Sequence, residues 1–133
     1  MTPITNDQEL RAFLDSADHF HDALIRECAL RARGFVDSES RMHNDTDPFD
    51  AVVLLQTQSD QAPGILLEFK GVSRFCVAQP TDLRPSGVVR SGVIHFSFST
   101  TGGGEAQVVA AGARYRFLDR SCLGESLLLC RDS

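Results

Sequence analysis

Five consecutive residues, Asp18-His19-Phe20-His21-Asp22, hold the densest run of metal-ligating and proton-transferring side chains in the chain. On an extended segment His19 and His21, at i and i+2, project to the same side and can reach one cation. With His43, Asp45 or Asp47 completing the set, the chemistry is that of zinc or iron held by imidazole and carboxylate. The candidate metal ligands are therefore His19, His21 and Asp22. The competing reading is structural: Asp18 or Asp22 accepts backbone N–H bonds at a junction while one histidine packs beneath a sheet. Two ligands must come from a distant segment, and no local pattern folds that segment back.

Other patterns fall short of their chemistry. Asn44-Asp-Thr-Asp47 has the look of a calcium loop. Counted from Asp45, however, Asp50 stands where such a loop needs glycine and Gln56 where it needs a bidentate glutamate. Thr100-Thr-Gly-Gly-Gly104 lacks the lysine and following helix of a phosphate loop, and reads as a glycine-rich hairpin turn. A cysteine nucleophile with His95 as base would need an activating environment that sequence does not display. No G-x-S-x-G, H-E-x-x-H or C-x-x-C motif occurs, so no catalytic or cofactor-binding residue is assigned and no cofactor is expected. Cys28, Cys76, Cys122 and Cys130 are expected to be buried free thiols.

The elements that must position these groups follow from periodicity. Asn6 to Ala17 reads as a helix, capped by Asn6 or Asp7, with Leu10, Phe13, Leu14 and Ala17 in one apolar stripe. Residues 23–33 fit two readings. As helix, Leu24, Ile25, Cys28 and Ala32 share a face; as strand, Leu24, Cys28, Leu30 and Ala32 share a side, with Arg26 the exception. From Asp37 to Asp50 the chain turns polar and reads as a long loop, which Pro48 helps to close. Ala51 to Gln58 and Ile65 to Lys70 read as a hairpin across the turn Ser59 to Gly64, with Ile65, Leu67 and Phe69 on one face. Gly71 marks a bulge before the strand resumes at Val72, and Pro80 and Pro85 bracket an irregular link. Val93 to Ser99 alternates most cleanly, placing Ile94, Phe96 and Phe98 inward and His95, Ser97 and Ser99 outward. Glu105 to Ala110, Ala113 to Leu118 and Leu123 to Cys130 supply the remaining apolar elements. Hairpin-linked strands with one flanking helix imply an α+β fold: an N-terminal helix on a mainly antiparallel, curved sheet or small β-sandwich.

Length and composition bound the partners. A chain of 133 residues, 42% hydrophobic, suits one domain with one core. A net charge of −5, with Lys70 the sole lysine and the arginines scattered, argues against nucleic acid, which requires clustered cations. Without a basic and apolar leader or a run long enough to span a bilayer, no membrane partner is expected and the cytoplasm is the expected compartment. The row His95, Ser97, Ser99 and the row Arg114, Arg116 are expected on neighbouring strands as a polar recognition face. The acidic loop is expected to suit a basic partner.

Phe20-His-Asp-Ala-Leu-Ile-Arg-Glu27, Asp50-Ala-Val-Val-Leu-Leu-Gln-Thr-Gln58 and Leu67-Glu-Phe-Lys-Gly-Val72 resemble segments of a group of small uncharacterised bacterial proteins. Some of these look like immunity proteins that neutralise polymorphic toxins. The resemblance covers about half the chain, is carried by structural residues, and implies no catalytic residue. It implies that the F-H-D-A segment leads into the first strand, and so favours strand for residues 23–33. The expected function is a non-enzymatic protein-interaction module, immunity-like in kind; the alternative is a metal-binding or hydrolytic domain centred on His19, His21 and Asp22.

Overall fold

The computed structural model describes residues 1–44, 49–77, 81–99 and 105–123. Its helix, α1 (Asp7–Ser16), starts where the sequence supplies a cap. Asn6 Oδ1 accepts the Glu9 N–H at 2.8 Å, and the Glu9 carboxylate reaches back to Asn6 Nδ2 and to the Thr5 hydroxyl. Asn6 is therefore the cap, leaving the Asp7 carboxylate to accept the N–H of Val89 at 2.8 Å. At the other end Gln61 Nε2 donates to the Asp15 and Ser16 carbonyls, satisfying two acceptors that a helix terminus leaves open. Leu10, Phe13 and Ala17 are buried and Leu14 partly so, as the apolar stripe requires.

The strands are β1 (Thr2–Ile4), β2 (Ala23–Ala32), β3 (Phe35–Val36), β4 (Met42–His43), β5 (Phe49–Gln56), β6 (Gly64–Cys76), β7 (Thr81–Arg90), β8 (Val93–Ser99) and β9 (Glu105–Leu118). Seven of them form one antiparallel sheet in the order β1-β9-β6-β5-β2-β7-β8, and β8 also pairs with β9. The sheet thus curls until it closes on itself. This is the α+β arrangement the sequence implies, with one closed sheet rather than two stacked ones. Ile65, Leu67, Phe69, Ile94, Phe96 and Phe98 line its interior together with Val53, Leu55 and Val108. Phe13 and Phe20 close that interior, Phe20 stacking on Phe96 and Phe98 at centroid distances of 6.0 and 5.6 Å.

Residues 23–32 are strand, against their helical propensity, because β5 offers them a continuous antiparallel ladder from Leu24–Gln56 to Ala32–Phe49. A bulge at Arg26 shifts the phase, so Ile25, not Leu24, shares the inner side with Cys28, Leu30 and Ala32. That accounts for Arg26 as the exception in the alternation. Gly71, with φ 61°, is the bulge residue expected in β6.

Several expectations change. Pro85 lies within β7 rather than in an irregular link. Its neighbour on one side is β8, and the described residues place no strand on its other flank, where a missing N–H breaks no ladder. Glu105 to Leu118 is one continuous strand, since β6 pairs with it from Gln107 to Leu118 and β8 from Glu105 to Ala110. Cys28, Cys76 and Cys122 are exposed, not buried: Cys28 lies in the exposed second half of β2, Cys76 at the end of β6 and Cys122 in the short turn that follows β9; Cys130 is outside the described residues. The expected element Leu123 to Cys130 falls outside them too, except for Leu123 itself. No helix among the described residues is long and apolar enough to cross a membrane.

Candidate functional site

The segment from Asp18 to Asp22 is a tight reversal between α1 and β2. Asp18, His19, Phe20 and Asp22 all have positive φ, between 47° and 58°. Each such non-glycine residue stores about 1 kcal/mol or more of strain. The reversal is held by the burial of Phe20, by the Phe20 and His21 N–H bonds to the Ala17 and Asp18 carbonyls, and by Gln58 N–H donating to the His21 carbonyl. A cavity of about 310 Å³ opens beside it, lined by Asp18, His19, His21, Asp22, Leu83 and Arg84. His19 Nε2 lies 2.9 Å from Asp15 Oδ1, and His21 Nε2 lies 3.3 Å from Asp22 Oδ2; all four side chains are exposed.

The structure therefore brings His19, His21 and Asp22 to one cavity but does not add His43. That residue belongs to β4, where its ring stacks on Phe35 at 4.5 Å and its Nε2 meets Asp37 Oδ2 at 3.0 Å. Asp45 and Asp47 are outside the described residues. Among the described residues no group of three or more His, Cys, Asp or Glu side chains is arranged to hold a metal ion.

A second locus was not foreseen. The stretch Asp37 to Asp50, read as one loop, contains β4 and the start of β5, and β4 forms a hairpin with β3 just before it, paired Phe35–His43 and Val36–Met42. Asp37 organises its turn: Oδ1 accepts the Glu39 and Arg41 N–H groups, and Oδ2 receives Arg41 Nε and His43 Nε2. The His43 bond, with these others, holds the Asp37 carboxyl below its ordinary value. Asp37 is thus committed within the hairpin rather than offered to a basic partner. Around it stand large apolar side chains left in water: Phe35 and Val36 each 59% exposed, Met42 70% and Phe49 42%. These four, with Ala32 and Gly34, line a cavity of about 320 Å³.

Beside that cavity runs a groove of about 610 Å³ on the outer face of β2, β5, β6 and β9, bearing Arg31, Arg33, Asp50, Glu68, Lys70 and Arg114. Asp50 sits opposite the Gly71 bulge and accepts the Gly71 N–H at 3.1 Å and Arg33 Nε at 2.9 Å, with Lys70 Nζ at 3.7 Å. Partial burial raises its carboxyl, but the Gly71 bond, the Arg33 bond and the charges of Lys70 and Arg33 outweigh this and leave it below the ordinary value. Arg114 pairs with Glu68 at 2.6 Å. Four cations against two carboxylates make the groove locally basic on a chain of net charge −5.

The expected recognition face divides. His95, Ser97 and Ser99 lie on β8 opposite Val109, Gln107 and Glu105. Arg114 and Arg116 lie farther along β9, opposite Glu68 and Leu66 of β6, and Arg114 lines the groove. The sequence signal for the hairpin was present in Phe35 and Val36, just before the polar stretch, and in Met42 inside it, but only the pairing shows that they gather. Comparison of the chain with protein-family models, with curated proteins and with solved structures returns no match.

Proposed function

We propose that this chain is a non-enzymatic protein-interaction module that takes its partner on the β3–β4 hairpin and the adjoining groove. The observation that supports this is the gathering of Phe35, Val36, Met42 and Phe49 at one exposed locus. Large apolar groups scattered singly need no explanation; a contiguous patch rimmed by charge has the anatomy of an interface. The basic groove suits a partner that presents carboxylates next to an apolar side chain. The resemblance to immunity-like proteins supports the same class, in which a small protein acts by covering a surface of another.

A photo-crosslinking residue placed at Met42, and separately at His95, tests this in cells of the source organism. The expected result is one defined adduct from Met42, abolished by Phe35→Asp, and none from His95. Equal labelling from both positions would count against the reading. The alternative, a metal-binding or hydrolytic centre, rests on the cavity at His19, His21 and Asp22. Zinc, iron or manganese at one equivalent in untagged protein, lost in His21→Ala, would put that alternative first.

A further inference from the structure

The hairpin cavity and the basic groove are continuous, since Ala32, Gly34 and Phe35 line both. At the groove end both carboxylates are already committed. Asp50 accepts the Gly71 N–H and Arg33 Nε and lies near Lys70, while Glu68 Oε2 receives Nε and Nη2 of Arg114. Arg31 is left over. The bulge at Arg26 sets Ala29 and Arg31 on the outer face, where Arg31 stands opposite Asp50 in the β2–β5 ladder. With Asp50 turned to three other groups, the exposed Arg31 guanidinium has no ionic partner among the described residues.

A guanidinium offers five donors in a planar fork, and the group that matches it is a carboxylate. Lys70, half-exposed and 3.7 Å from Asp50, is a second cation with donors to share. Its strand lies two places from β2, about 10 Å away at the usual spacing, which an extended peptide covers in about three residues. Beyond Phe35 the cavity is walled by Val36, Met42 and Phe49 and suits one large apolar side chain of the same segment. The sign of the partner follows. Sequence alone gives the acidic loop a basic partner, yet its described carboxylates, Asp37, Glu39 and Asp50, are each paired within the chain. At long range a chain of net charge −5 repels a partner that is acidic throughout; within the screening length of about 8 Å the groove decides. Carboxylates confined to a short segment satisfy both conditions. Taking the hairpin as the docking locus, a reading on which this rests, we infer that the depression holds a short, extended acidic segment of a partner protein. One large apolar side chain of that segment enters the cavity beside Phe35 and Met42, and one carboxylate pairs with Arg31.

Titration of the isotope-labelled full chain with three capped hexapeptides, followed by amide chemical shifts, tests this. The first is acetyl-Glu-Asp-Leu-Phe-Asp-Glu-amide; the second has lysine for every acid, and the third has glycine for Leu and Phe. The first is expected to shift the amides of Arg31, Phe35, Val36 and Met42 with a Kd of about 1 mM or tighter. The other two are expected to bind about tenfold more weakly or worse. Arg31→Glu is expected to weaken the first peptide about tenfold or more and to favour the second. Arg31→Gln, which sets no new charge beside Asp50, is expected to weaken the first by a smaller factor, with the melting temperature of both variants near that of wild type. A lysine peptide bound as tightly as the acidic one, an acidic peptide indifferent to Arg31→Glu, or no shift from any peptide at about 5 mM would overturn the inference. The crosslinking residue at Met42 separates the two readings. An adduct undiminished by Arg31→Glu leaves the hairpin as docking locus and removes the acidic segment, whereas no adduct at all removes both.

Discussion

Asp50 links three neighbours through one carboxylate, Gly71 by its N–H, Arg33 by its Nε and Lys70 by charge. Its carboxyl titrates lower in the folded chain than in the unfolded one. On acidification the unfolded chain therefore takes up the proton first. The stabilisation is whole above the ordinary aspartate value of 3.8 and is lost as pH falls through that value toward the lower folded one. Asp50→Asn is expected to cost about 1 kcal/mol at neutral pH, a figure reduced for partial exposure, and to flatten the acid limb of stability against pH in urea titrations. His19, at φ 47°, offers the opposite sign: His19→Gly relieves a left-handed strain and is expected to raise stability by about 0.5–1 kcal/mol. Its exposed contact with Asp15 adds little to offset this. The chemistry of Asp18 to Asp22 was legible from residue types, but its backbone was not. An extended segment would set both imidazoles side by side; the left-handed turn arises instead because Phe20 must enter an interior built by β8, far away in sequence.

At the scale of elements, alternation was a sound guide wherever one face of a strand meets the interior. Ile65, Leu67 and Phe69, and Ile94, Phe96 and Phe98, are all buried as their spacing requires. It failed where the governing contact is not periodic. The strand β2 has helical composition and an exposed second half, so only its ladder with β5 reveals it. Pro85 signals a break locally, yet a flank without a strand partner tolerates it. The hairpin β3–β4 is too short for any period, and its order comes from the Asp37 carboxylate and from Gly34. A Cβ at Gly34 would lie 2.8 Å from the His43 carbonyl oxygen, which is backbone and cannot swing aside. Gly34→Ala is therefore expected to displace the hairpin. Amide exchange at Val36 and Met42 should accelerate, and any adduct formed from Met42 should fall, while the melting temperature of the closed sheet stays nearly unchanged.

Over the whole molecule, stability is expected to be uneven. The β6–β9 ladder runs from Gly64–Leu118 to Cys76–Gln107 and forms the longest pairing in the sheet. Native-state hydrogen exchange is expected to find its central amides protected to the global unfolding limit, and those of β3 and β4 open at far lower cost. The α+β class and the composition of the core were readable from sequence. Closure of the sheet was not, because it depends on one strand, β9, having partners on both sides. That strand has a further consequence for synthesis. Since β9 pairs with β6, β8 and β1, the ribosome must release residues through about Leu118 before the seam can form. Until then the nascent polypeptide holds Phe96 and Phe98 on an open ribbon, where chaperones that bind aromatic segments can compete for them.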